Sequence, residues 1–141
     1  MIKITDFNTI CGELKTVAGA KGYVLSATEE NLVNKLKDRA GLQLACIIPM
    51  LSTSGDLSGF IDETTTMFWA IEKHVDGQTD KSELEQYQRT QDAIMKVRGH
   101  IISMAEDGCS DFNNLDLNSM IIEPVWVSKG SWNGWSLELT F

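Results

Sequence analysis

Between Asp6 and Gly19 the apolar residues Phe7, Ile10, Cys11, Leu14, Val17 and Ala18 recur at steps of three and four. A 3.6-residue helix gathers such steps into one stripe, so the pattern predicts a helix over 6–19, stopped by Gly19 and Gly22. Gly22-Tyr23-Val24-Leu25 then leads into Ser26-Ala27-Thr28-Glu29, where serine and glutamate stand at capping-box spacing. A second helix is predicted from about Ala27 to Arg39, with Leu32, Val33 and Leu36 on one face and Gly41 at its end.

The period changes after Gly41. Leu42 to Leu51 is a short apolar run bounded by the Ser/Thr/Gly-rich stretch Ser52 to Gly59, which predicts a buried strand. Phe60 to Val75 is rich in β-formers and predicts its partner, with Met67, Trp69 and Ile71 on one face. Asp80-Lys81-Ser82-Glu83 repeats the capping-box spacing and opens the longest predicted helix, to about Glu106. Its apolar side carries Leu84, Tyr87, Ile94, Val97, Ile101 and Met104, and Asp107-Gly108 ends it.

The C-terminal part predicts a β-hairpin with arms Leu117 to Ser128 and Trp135 to Phe141, connected through Lys129 to Gly134. In the second arm Trp135, Leu137, Leu139 and Phe141 alternate with Ser136, Glu138 and Thr140, so one face of that strand is expected in the core. Pro124 cannot donate to a ladder, which predicts an edge strand or a bulge in the first arm. The order helix, helix, strand, strand, helix, strand, strand predicts one α+β domain over 1–141. Its antiparallel or mixed sheet of about four strands packs against helices.

Composition narrows the function. With 43% hydrophobic and 23% charged residues and two prolines, the chain is globular throughout. A net charge of -8, with acids scattered along the chain, disfavours nucleic acid, whose phosphates require clustered Lys and Arg. The nearest such run, Lys35, Lys37 and Arg39, includes Asp38 and reads as a solvated helix face. Cys11, Cys46 and Cys109 are widely spaced and form no CxxC pair, so reduced thiols are expected, with Cys46 as a small core residue. The start, Met1-Ile2-Lys3-Ile4-Thr5-Asp6, lacks the basic segment and apolar core of a signal peptide. The longest apolar run is far short of the roughly 18 residues of a membrane span.

The chemical motifs fail at required positions. There is no P-loop, GxGxxG or GxSxG, and Gly55-Asp56-Leu57-Ser58-Gly59 has leucine where a nucleophile elbow needs serine. His74 with Asp76 and Asp80 is a loose cluster better explained by a turn and a helix cap than by a metal, and His100 reads as a helical surface residue. An EF-hand register from Asp111 puts Leu115, Asp116 and Ile122 at positions that need other residues. No catalytic residue, cofactor or metal is therefore assigned, and an enzyme is not expected. Trp126, Trp132 and Trp135 form an aromatic cluster better explained by hairpin packing than by a stacking platform. Trp132, in the connection, is expected to be the exposed member.

Across nearly its whole length the chain resembles small virion proteins of tailed bacteriophages, of the tail-terminator, tail-completion or head-to-tail connector kind. The likeness is one of size, element order and ending. An N-terminal helix (6–19), a hairpin around a long loop (42–75), one long helix (81–106) and final antiparallel strands (117–141) closing on Asn133-Gly134-Trp135-Ser136-Leu137-Glu138-Leu139-Thr140-Phe141 carry it. The resemblance implies a homo-oligomeric ring that caps or joins parts of a phage or prophage particle. It also implies contact with other tail or connector proteins, assembly in the bacterial cytoplasm, and no membrane. The segment Ser52 to Glu63 is expected to be a projecting, mobile assembly loop, with Ser54, Leu57 and Phe60, together with Trp132, as candidate contacts. The alternative is an acidic immunity or inhibitor protein that neutralises a basic toxin and uses the same charge and an exposed tryptophan.

Overall fold

The computed structural model describes residues 1–108, 110–127 and 131–141; Cys109, Ser128, Lys129 and Gly130 lie outside them. The elements in chain order are α1 (Ile4–Ala18), β1 (Gly22–Ser26), α2 (Glu29–Leu36), β2 (Gln43–Ile47), β3 (Met50–Asp56), β4 (Gly59–Lys73), α3 (Asp80–Glu106), β5 (Asp116–Val127) and β6 (Trp132–Thr140). The fold is α+β, with a mixed six-stranded sheet in the order β1-β2-β4-β6-β5 and with β3 paired to β4 beyond the end of β2. Among the described residues only β1 and β2 run parallel.

The helices form because their apolar spacing has a sheet face to meet. Phe7, Ile10, Cys11, Leu14 and Ala18 of α1 are buried, and Gly19 ends the helix at φ 70°, with its N–H donating to the Thr16 carbonyl at 3.1 Å. α1 and α3 cover one sheet face, where Leu44, Cys46, Phe68, Ala70, Leu137 and Leu139 complete the main core. A smaller cluster on the other face joins Leu32 and Leu36 of α2 to Ala45, Trp69, Ile71 and Trp132. The two faces of β6 are thus both buried. Leu137 and Leu139 face the helices as expected, while Ser136 on the opposite face is 3% exposed.

Several elements differ from the sequence reading. β1 was not expected. Its five residues carry no clear period, and parallel pairing with β2 is what makes Gly22 to Ser26 a strand. That pairing also takes Ser26 out of the cap: Thr28 caps α2, accepting from the Asn31 N–H at 3.2 Å, and Ser26 instead donates to the Thr28 carbonyl at 2.7 Å. α2 stops at Leu36, which lets Arg39 turn back to the Tyr23 carbonyl at 3.2 Å. The cap of α3 is displaced in the other direction, one residue earlier than expected, at Thr79, which accepts from the Ser82 N–H at 3.2 Å.

The buried face of α3 also departs from expectation in its N-terminal half. Leu84 is 71% exposed, and the inward positions are Gln86 and Thr90, followed by Ala93, Ile94, Val97 and Ile101. Gln86 donates to the Lys73 carbonyl at 2.8 Å and accepts from Asn133 at 2.9 Å. A buried amide with such partners is tolerated, so sheet-end polar groups, and not hydrophobicity, set the helix rotation here. Arg89 of α3 adds a two-pronged ion pair to Glu72 of β4, at 3.1 and 2.8 Å. β5 is an edge strand, as Pro124 predicted, and its register slips between Asp116 and Ile121.

Cys11 and Cys46 are free, buried and adjacent in the core. Burial, and then hydrogen bonding to Cys11, push the Cys46 thiol well above its ordinary value. Below the ordinary thiol range both folded and unfolded chains are neutral there, and the contact acts in full. As the pH rises through that range toward the raised folded value, the unfolded chain ionises first and stability falls. Urea midpoints should therefore drop between about pH 8 and 10, and the Cys46→Ala variant should show a shallower drop. Equal slopes in the two proteins would contradict this account.

Candidate functional site

The apolar run Leu42 to Leu51 divides at Ile48-Pro49. β2, before the break, is buried against β1 and β4, whereas every residue from Met50 to Glu63 is exposed. Seven registered pairs, from Met50↔Thr65 to Asp56↔Gly59, make this segment, expected as a projecting loop, a β-ribbon that projects. Proline cannot donate to a ladder, and at position 49 it separates the strand that belongs to the sheet from the one that leaves it. At about 3.4 Å per residue, the ribbon reaches roughly 24 Å beyond that hinge.

The ribbon is stiffened from within. At the base, Thr66 donates to the Ile47 carbonyl at 2.6 Å, and Thr64 and Phe141 exchange backbone bonds at 2.9 and 2.8 Å, anchoring β4 to the last residue of the chain. Along it, Thr53 donates to Asp62 Oδ1 at 2.5 Å. At the tip, Asp56 Oδ1 accepts from the Ser58 N–H at 2.8 Å and from the Ser58 hydroxyl, and these bonds hold the Asp56 carboxyl below its ordinary value. Gly55 adopts φ 111°, and a Cβ there would lie 2.3 Å from the Gly59 carbonyl oxygen, so the tip requires glycine.

Among the described residues, the outer edge of β3 has no partner, and β6 with Phe141 covers β4 only from Thr64 onward, leaving the other edge of the ribbon open from Gly59 to Glu63. A two-stranded ribbon with open edges and both faces exposed is a template for pairing with another chain. The main sheet treats its first edge differently. Lys35 and Arg39 side chains donate to the Leu25 and Tyr23 carbonyls and so fill the free side of β1.

The sequence candidates separate on this geometry. Ser54, Leu57 and Phe60 lie together on the ribbon; Leu57 at the tip is fully exposed and Phe60 is 68% exposed. Trp132 does not join them and is corrected from an exposed contact to a core residue, 1% exposed. It belongs to β6, in register with Lys73 of β4 and Val127 of β5, and that places it against Ile71 and α2. The exposed tryptophan is Trp126 on the edge strand, at 64%. Ile61, 64% exposed on the ribbon, was missed, although alternation within the hairpin could have shown it outward.

A second feature was also missed. Ile2, Ile4 and Phe7 from the start of the chain meet Ile48 and Pro49 at the foot of the ribbon and line a pocket of about 450 Å³, with Lys3 as its charged member. The signal was Met1-Ile2-Lys3-Ile4, apolar residues ahead of the helical stripe, but only tertiary packing brings them to the hinge.

The residues weighed for chemistry remain dispersed. His74 lies 3.4 Å from the Asn133 amide at the end of β4, and His100 pairs with Glu13 of α1 at 2.7 Å. Among the described residues no group of three His, Cys, Asp or Glu side chains is placed to hold a metal ion, and no helix is long and apolar enough to cross a membrane. A scan against protein-family models and a search of curated proteins each find no match to this sequence.

Proposed function

We propose that the chain is a structural assembly protein of a tailed bacteriophage or prophage particle, a subunit of a ring at the tail or head-tail connector. What supports this reading is the ribbon: a paired arm, exposed on both faces, with open edges toward its tip and with Leu57, Phe60 and Ile61 in solvent. Such an arm has no role in its own core. Apolar groups held out on a stiff support suit capture by a neighbour, because little ordering entropy is left to lose on binding. Trp132 is buried, so the exposed tryptophan that the acidic-inhibitor reading would use is Trp126 on the edge strand.

Deleting Thr53 to Ser58 is expected to leave the monomer folded, because none of these residues is buried. Sedimentation at high protein concentration should show higher-order species for the intact chain and monomer alone for the deletion. Unchanged assembly of the deleted protein would move the contact to the sheet edges. An intact chain that stays monomeric at every concentration, yet binds one basic protein in a 1:1 complex, would favour the inhibitor.

A further inference from the structure

We propose that the apolar pocket at the foot of the ribbon is the seat for the ribbon tip of a second copy of the chain. The inference rests on the assembly reading above and supplies its contact. The pocket, about 450 Å³ and lined by Ile2, Ile4, Phe7, Ile48 and Pro49, has room for large apolar side chains. The tip presents such groups: Leu57 is fully exposed, and Phe60 and Ile61 are 68% and 64% exposed.

The chain cannot fill its own pocket. Pocket and tip stand at opposite ends of one paired ribbon, roughly 24 Å apart at about 3.4 Å per residue, and seven cross-strand pairs hold the ribbon extended. Charge then selects the occupant. The tip carries Asp56, with Asp62 and Glu63 further down the ribbon and no cation along it, while the charged side chain lining the pocket is Lys3. Copies of a chain with net charge -8 repel one another, so a contact between them is favoured where an acidic tip meets a cation. Because tip and pocket are different surfaces, the contact is heterologous. Each copy gives a tip and receives one, and the chain of contacts closes into a ring when the rotation allows.

The test uses the full chain with photoreactive benzoyl-phenylalanine at position 57, mixed in equal amounts with isotopically heavy chain and irradiated at a concentration where self-association is measured. The expected result is a light-to-heavy cross-link from position 57 into residues 1–7 or 48–49. It should fall at least tenfold in a partner carrying Ile4→Asp, a change at a half-exposed position that leaves the fold intact, as circular dichroism would check. Cross-links between copies that land elsewhere would overturn this contact and leave the assembly reading standing. A cross-link within one chain to residues 1–7 would show that the tip reaches its own pocket, again overturning it. Self-association without any light-to-heavy product would likewise overturn this contact and leave the assembly reading standing, whereas a monomeric mass at all concentrations would sink both.

Discussion

Among the glycines of the described residues, Gly134 is the one whose replacement by alanine is expected to remove the most stability. A Cβ at position 134 would stand 2.0 Å from the Ala70 carbonyl oxygen and 2.9 Å from the Ile71 Cα. Both are backbone atoms of β4, the strand at the centre of the sheet, so no side-chain rotation relieves the clash. β6 must move away from β4, and the pairs from Thr65↔Thr140 to Lys73↔Trp132 move with it. Overpacking in a core costs about 1–3 kcal/mol where side chains can give; here the loss should reach the top of that range or exceed it. Gly99 provides the control. It lies exposed within α3 with nothing within 4 Å of an added Cβ. There alanine should stabilise by up to about 1 kcal/mol, through helix propensity. Urea unfolding of the two variants should give opposite signs, and a mild effect at Gly134 would mean that β4 and β6 do not approach as closely as described.

Leu137→Ala carries the second large effect, about 2–5 kcal/mol of lost stability. Leu137 is fully buried in the middle of β6, in register with Phe68 of β4 on one side and Ile122 of β5 on the other. It faces the layer of α1 and α3, and truncation opens a cavity that strands on both flanks keep from collapsing. The matched control is Leu57→Ala, the same deletion at a fully exposed position, which should leave stability within about 0.5 kcal/mol. Those two changes separate the residue that holds the fold from the one that projects from it. A loss below about 0.5 kcal/mol at Leu137 would place the wrong face of β6 inward.

How much of this was legible depended on whether the decisive interaction was local. The period of α1, the length of α3 and the alternation Trp135, Leu137, Leu139, Phe141 are properties of single segments, and a helix or strand with that period has one obvious face to bury. Pro124 marked an edge strand for an equally local reason, its missing donor. The caps were each displaced, at Thr28 instead of Ser26 and at Thr79 instead of Asp80. Neighbouring Ser, Thr and Asp residues compete for the same orphan N–H, and the tertiary path of the chain selects among them.

For the candidate site, sequence by itself determined that Ser52 to Glu63 has little to hold it in a core, and that Leu57 and Phe60 would stand out within it. It also determined the acidic balance of the chain and the lack of any motif pattern that meets its required positions. Tertiary structure decided the rest. Leu44 and Leu51 belong to one apolar run, yet Leu44 is buried and Leu51 is exposed, because β2 has neighbours on both sides and β3, among the described residues, pairs with β4 alone. Trp132 went from connection to core once pairing with both Lys73 and Val127 drew it into β6. The pocket at the hinge exists only because α1 and the residues just before it bring Ile2, Ile4 and Phe7 to Ile48 and Pro49. Local pattern states what a segment would bury; which segments find a partner, and which are left projecting, depends on contacts between residues far apart in the chain, which no period in the sequence records.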